Sequence, residues 1–304
     1  MIRSVSAMVL VLWAVAACSG SLDDPAPTES PAPVEIEVGR VPVPGGELYY
    51  ETAGSGEPVV FVHGNAGDLR HWDLQFEAVA DEFRVIRYDV RGFGRSTDPV
   101  PGVPFSHHDD LAAVLDHLGV ERAHVAGWSM GSGIAIDFAL AFPERTTSLI
   151  SVGPWVNGFA SDASREMSSQ MGAVFRAGRE EGSEAAVAAW VAAPFWIATV
   201  RDPEAGNRFR RIAAAQSFLP SSGPNPRVAL RPPAVDRTEE IAAPTLIVTA
   251  EYDIPADVEV ADLLERTVPN AQRVTMPGTG HLMHMERFDD FNSLVRDFVQ
   301  TAAR

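Results

Sequence analysis

The stretch His124-Val125-Ala126-Gly127-Trp128-Ser129-Met130-Gly131 decides the fold. Its first five residues, His124–Trp128, make a short apolar run of strand length, and a helical pattern opens at Gly131 and continues to Phe142. A serine set between strand and helix with glycine on both sides marks a tight, strained turn. Side chains at 127 and 131 would crowd that turn, and the serine hydroxyl is left pointing outward. Ser129 is therefore a candidate nucleophile.

On either side of this turn, short apolar runs alternate with helical patterns. Before it come strands over Val59–Val62 and Arg84–Tyr88, with helices near Leu69–Ala80 and over Ser106–Leu118. After it comes a strand over Ser148–Val152. The alternation implies an α/β fold, with a mostly parallel sheet flanked by helices on both faces. Val38–Val43 and Glu47–Thr52, joined at Pro44-Gly45-Gly46, predict an antiparallel pair at the start. The rhythm breaks over 155–235, where Gly182–Val191 and Asn207–Phe218 have helical patterns, so a helical insertion is expected there. It returns with a strand at Pro244–Thr249, a helix at Ala256–Thr267, a strand at Gln272–Met276 and a last helix near Phe288–Ala303. The core is thus expected to comprise 35–154 and 236–304. Ser106 and Asp109 have the spacing of a capping box, which makes His107, His108 and His117 surface or helix-end residues with no expected ligand role.

A serine hydroxyl needs a base to take its proton, and the base needs an acceptor to hold its tautomer. His281 lies in Pro277-Gly278-Thr279-Gly280-His281, read as a loop after the last strand, where it would face the carboxyl edge of the sheet. His284 competes but falls at the start of a helical stretch. Asp253 and Glu251 both follow the apolar strand at Thr245–Thr249, and either could be the acceptor. The oxyanion needs two converging N–H donors. Met130, directly after the serine, offers one, and Asn65 in His63-Gly64-Asn65-Ala66-Gly67 offers the other. His63 itself reads as a structural loop residue.

Composition narrows the function. The 304 residues carry a formal charge of −17, which disfavours nucleic acid as a partner. All 24 basic residues are arginine, so no lysine-based mechanism is open. Metal-ligand spacings and glycine-rich phosphate loops are absent, and neither a metal nor a cofactor is expected. Arg3 precedes an apolar run from Ala7 to Ala17, too short to span a bilayer, and the single cysteine, Cys18, follows. With one cysteine, no intramolecular disulfide can form. The next residues are rich in proline, serine and acids, and 18–34 is expected to be a disordered tether.

Two resemblances attach to these residues. Val15-Ala16-Ala17-Cys18 resembles the lipobox of bacterial lipoproteins, which implies a signal peptide over 1–17, lipidation of Cys18 and export. The chain would then be anchored to the membrane at the cell envelope by its lipid, or secreted if Cys18 is not lipidated. From about Val38 onward the chain resembles the α/β-hydrolase superfamily, and within it the capped serine-hydrolase branch of carboxylesterases, enol-lactonases, C–C bond hydrolases and cofactor-free haloperoxidases. The motifs carrying the likeness, in the family's order, are 63–67, 88–96, 127–131, 251–253 and 278–286. The resemblance implies the α/β-hydrolase fold, a helical cap over 155–235, and a triad of Ser129, Asp253 and His281, with Asp253 preferred to Glu251. It makes Asp89 and Arg91 structural, and it makes Trp155, Phe195 and Trp196 candidates for an apolar acyl pocket or for cap core. A serine at 129, where epoxide hydrolases and haloalkane dehalogenases of this branch carry aspartate, sets those two reactions aside. The expected activity is cleavage of a carboxylic ester or related small acyl substrate through an acyl-enzyme. C–C bond hydrolysis or perhydrolysis on the same triad, and a ligand-binding lipoprotein without catalysis, are the alternatives.

Overall fold

In this computed structural model, residues 34–197, 200–216 and 226–303 are described. The expected signal peptide, Cys18 and nearly all of the tether lie outside the described residues, as does the end of the helix expected at Asn207–Phe218. The described chain begins with a hairpin of β1 (Ile36–Val43) and β2 (Gly46–Ala53). It continues through β3 (Pro58–Val62), α1 (Asp73–Val79), β4 (Arg84–Tyr88), α2 (His107–His117), β5 (Ala123–Ser129), α3 (Met130–Ala141) and β6 (Thr146–Pro154). Four helices follow: α4 (Asp162–Glu181), α5 (Ser183–Val191), α6 (Pro194–Ile197) and α7 (Pro203–Ala213). The chain closes with β7 (Thr245–Tyr252), α8 (Pro255–Thr267), β8 (Ala271–Gly280), α9 (Met283–Glu286) and α10 (Phe288–Ala302).

The eight strands form one sheet in the order β1-β2-β4-β3-β5-β6-β7-β8. β2 runs antiparallel to both β1 and β4, and every other neighbouring pair is parallel. Side chains alternate across the sheet because the strand period is two. Val59 and Phe61 of β3 thus join a core with Phe76 of α1 and Phe291, Val295 and Phe298 of α10. Val60 and Val62 join the opposite core with Leu111 and Leu115 of α2, Phe138 of α3 and Leu264 of α8. Both faces of the sheet are covered, as a parallel sheet requires. This is the α/β-hydrolase fold.

Local chemistry places the element ends. Ser106 caps α2, its hydroxyl accepting the Asp109 N–H. α7 starts at Pro203 rather than Asn207, because Asp202 accepts the Ala205 N–H and proline suits the first helical position. β8 does not stop at Met276. It continues to Gly280, where it pairs with Tyr252 of β7 after a register shift. Pro277–Gly280 is therefore strand and not the expected loop, and His281 follows it directly.

The order β4-β3-β5 means that the chain crosses from one side of β3 to the other. Ligands of open α/β sheets bind at such a switch point, beyond the carboxyl ends of the strands. Here the 63–67 loop leaves β3 beside the end of β5, with Val62 paired to Gly127.

Candidate active site

Ser129 ends β5 and precedes α3 at φ 54°, ψ −118°, a conformation that L-residues rarely adopt and that costs roughly 1–3 kcal/mol. The flanking glycines are needed for the reason the sequence suggested. A Cβ at Gly127 would run into the Gly131 carbonyl, and a Cβ at Gly131 would run into that of Val62. Met130 opens α3, so its N–H belongs to the first turn, which lacks intrahelical acceptors. Asn65 lies across from it on the β3 loop, and its Oδ1 accepts the Ala66 N–H at 2.9 Å.

His281 is fully buried, and its Nδ1 lies 2.6 Å from Asp253 Oδ1. Asp253 is held in turn by its own loop, its Oδ1 accepting the Ile254 N–H at 2.9 Å and its Oδ2 the Ala250 N–H at 3.1 Å. An acceptor at Nδ1 places the proton there and leaves Nε2 as the basic nitrogen. That Nε2 makes no hydrogen bond. Trp128, inside the serine motif, donates its indole N–H to the His281 carbonyl at 2.9 Å. The His281 ring packs beside two indoles, with centroids 5.1 Å from Trp128 and 5.4 Å from Trp196. Gly153 leaves room for it, since a Cβ there would come within 2.6 Å of the imidazole Cε1.

The rival residues sit elsewhere. Glu251 is exposed and accepts the Gly278 N–H at 2.8 Å. His284 is buried among Trp72, Trp128 and Phe291, and burial, with His281 close by, brings its imidazole down to about 3. His63 is structural: its Nε2 accepts the Val90 N–H at 2.9 Å, and its Nδ1 lies 2.7 Å from the Gly64 carbonyl. Asp89 accepts the N–H groups of Leu69 and Arg95, and Arg91 forms a buried two-point pair with Asp110.

A cavity of about 260 Å³ opens over Ser129 and His281. Asn65 and Met130 line it, as do Trp155, Phe195 and Trp196, with Met167 and Met171 of α4 and Trp190 of α5 forming the helical wall. Phe195 and Trp196 also pack into the core, so they serve as wall and as packing. His107 and His108, expected as surface or helix-end residues, do sit at the start of α2, but there they line this cavity, and burial brings the His107 imidazole down to about 3. Only His117 is exposed. Local pattern could not reveal this, because residues 226–229 lie across the start of α2: Phe105 bridges Arg227, and Val228 donates to the Phe105 carbonyl at 2.7 Å.

A second carboxylate, Asp257 on the first turn of α8, also lines the cavity. Its Oδ2 lies 3.2 Å from His281 Nδ1 yet makes no hydrogen bond. Burial and the charge of Asp253 raise the Asp257 carboxyl well above the usual carboxylate range. Among the described residues, Asp253, Asp257 and His281 also bring possible metal-binding atoms within 4.8 Å of one another. The backbone bonds at both Asp253 oxygens and the short bond to His281 make a proton-holding relay the simpler reading of this trio.

Comparison with known proteins fits this geometry. The profile of the alpha/beta hydrolase fold family matches residues 57–288. The chain belongs to the α/β-hydrolase family. This α/β-hydrolase is 31% identical over 256 residues to a protein of Azorhizobium caulinodans named as a carbamate hydrolase, covering 83% of this chain and 94% of that one. It is 30% identical over 268 residues to a 2-hydroxy-6-oxononadienedioate/2-hydroxy-6-oxononatrienedioate hydrolase of Pseudomonas putida, covering 84% of this chain and 92% of the relative. In structure it is similar to a thermophilic esterase from Thermogutta terrifontis, with TM-score 0.69, 26% identity, and coverage of 88% of this chain and 99% of that one. The α/β-hydrolase is a hydrolase enzyme, and its relatives are named for different substrates.

Proposed function

We propose that this α/β-hydrolase is a capped serine hydrolase that cleaves a carboxylic ester or related acyl compound through an acyl-enzyme. The observation carrying this reading is the strained Ser129, which faces one cavity with a histidine whose Nδ1 is held by Asp253 and whose Nε2 is free. Ser129 Oγ attacks the acyl carbon while its proton passes to His281 Nε2. The N–H groups of Met130 and Asn65 hold the oxyanion, and removing one such donor typically costs about 10²–10³ in turnover. His281 then protonates the departing alkoxide as the bond to it breaks. Water, deprotonated by His281, releases the acid and restores Ser129. Asp253 holds the ring throughout. The helices from α4 to α7 act as the cap, and their aromatic wall suits an apolar acyl group.

The test is labelling of the full chain in detergent with a fluorophosphonate, beside Ser129→Ala, followed by assays on aryl esters and on a vinylogous diketone. One adduct on the wild type, none on Ser129→Ala and turnover of the esters are expected. Turnover of the diketone alone would favour C–C bond hydrolysis on the same triad. An unlabelled wild type would favour a ligand-binding protein without catalysis.

The order of charge, apolar run and Cys18 supports export and lipidation of that cysteine. Several acyl chains give stable anchoring where one chain does not. Radiolabelled palmitate should enter the wild type but not Cys18→Ser, and equal incorporation would refute the anchor.

A further inference from the structure

The cavity has a second polar end that the triad does not use. Met130, Ile134 and Asp137 of α3 all line it, at the i, i+4, i+7 spacing that puts side chains on one helical face. Asp137 therefore lies about two turns from Ser129, roughly 12 Å along the axis of the helix whose first N–H groups face the oxyanion. The residue is 7% exposed. Oδ2 accepts the Asn157 amide N–H at 2.7 Å, but Oδ1 makes no hydrogen bond. His107 Nδ1, in the same cavity wall, is likewise buried and without a hydrogen bond. Buried polar atoms are nearly always paired, so two left open at one end of a ligand cavity point to a ligand that pairs them.

The surrounding charges limit what that ligand group can be. A carboxylate or phosphate would meet Asp137, a buried acid. An ammonium would meet the Arg227 guanidinium, which also lines this end. A hydroxyl carries no charge, and it can donate to Asp137 Oδ1 while accepting from an imidazole N–H. We propose that Asp137, with Asn157 and the histidines at the start of α2, forms a subsite for a hydroxyl of the substrate, distant from the scissile carbonyl. The substrate class is then an ester bearing a hydroxyl on the part that lies along α3. This rests on Ser129 being the nucleophile. Because the free oxygen is an acceptor, the plain alkyl analogue leaves it unpaired, and sites of this kind discriminate strongly against the analogue that lacks the hydroxyl.

The test compares kcat/KM for matched pairs on the full-length enzyme. One series is the 4-nitrophenyl esters of straight-chain acids of roughly six to ten carbons, with and without a terminal hydroxyl, a length chosen to span the axial distance from Ser129 to Asp137. The other is the acetate esters of the corresponding diols and alkanols, which places the hydroxyl on the leaving group instead. A gain of about tenfold or more from the hydroxyl is expected in one series at one chain length. Asp137→Leu should bring that ratio to near one, and Asp137→Asn, which keeps a polar group facing the ligand, should retain much of it. An enzyme that takes fluorophosphonate but treats both members of every pair alike overturns the hydroxyl subsite alone. A preference that survives Asp137→Leu overturns the assignment to Asp137. An enzyme that takes no fluorophosphonate overturns the serine reading and the subsite with it.

Discussion

The two ends of the cavity differ in how their polar atoms are held. At the end near Ser129, Asp253 uses both carboxyl oxygens on backbone N–H groups and on His281, and the indole of Trp128 fixes the His281 carbonyl. At the far end, Asp137 Oδ1 and His107 Nδ1 are buried with no hydrogen bond. The first end is arranged in advance, which electrostatic catalysis rewards because no reorganisation is then needed during reaction. The second is incomplete without a ligand. Asp257 belongs to the second kind although it lies in the first end: it is buried, unbonded and 3.2 Å from a nitrogen that Asp253 already occupies.

That contrast breaks most sharply at the two carboxylates around His281. Asp253→Asn should lower kcat by about 10⁴, because an amide can hold the imidazole in the wrong tautomer. Asp257→Asn should cost less than about tenfold, since burial already disfavours the charged form of Asp257 and it is not the bonded acceptor. Steady-state kinetics of the two variants on one ester check this. The reverse order would make Asp257 the orienting group.

Smaller effects are expected in stability. Burial pushes the carboxyls of Asp137 and Asp257 above the usual range, in Asp257 with help from the charge of Asp253. The unfolded chain releases these protons near pH 3.9 and the folded chain holds them longer, so each group lowers stability as pH rises through and above about 4. Asp137→Leu and Asp257→Asn should therefore be more stable than the wild type, by roughly 1–3 kcal/mol for Asp137 with its one unpaired oxygen, with a margin that grows from pH 4 upward. Urea melts at pH 4 and pH 7 measure the margin. A loss of stability in Asp137→Leu would show that the far end is held by contacts and not left open for a ligand.

Much of the end near Ser129 was legible from short-range pattern. A serine between glycines at a strand-to-helix step needs a backbone turn that leaves little else possible, and Ser129 adopts it. Strand ends pointed to His281 and to the pair Glu251 and Asp253, between which only the family resemblance chose, although the sequence read Pro277–Gly280 as loop. Pairing with Tyr252 extends β8 through those residues, and such pairing is a property of the neighbouring strand. The far end was not legible. Asp137 sits in a helix that otherwise reads as apolar core, and His107 and His108 follow a capping serine that makes them look like ordinary helix-end residues. Their environment comes from residues 226–229, about 120 positions away in the chain.

By itself, the sequence determined the strand and helix order, the mostly parallel sheet with an opening antiparallel pair, and the strained serine turn. These depend on periodicity, on glycine and proline, and on residues close in the chain, where backbone sterics act directly. Only the tertiary structure decided which of the polar residues share a cavity, that Asp257 stands beside His281, and that Asp137 keeps an unpaired oxygen. Those facts depend on burial and on contacts between distant segments, and no local rule of backbone geometry encodes where a loop from the other half of the chain will lie.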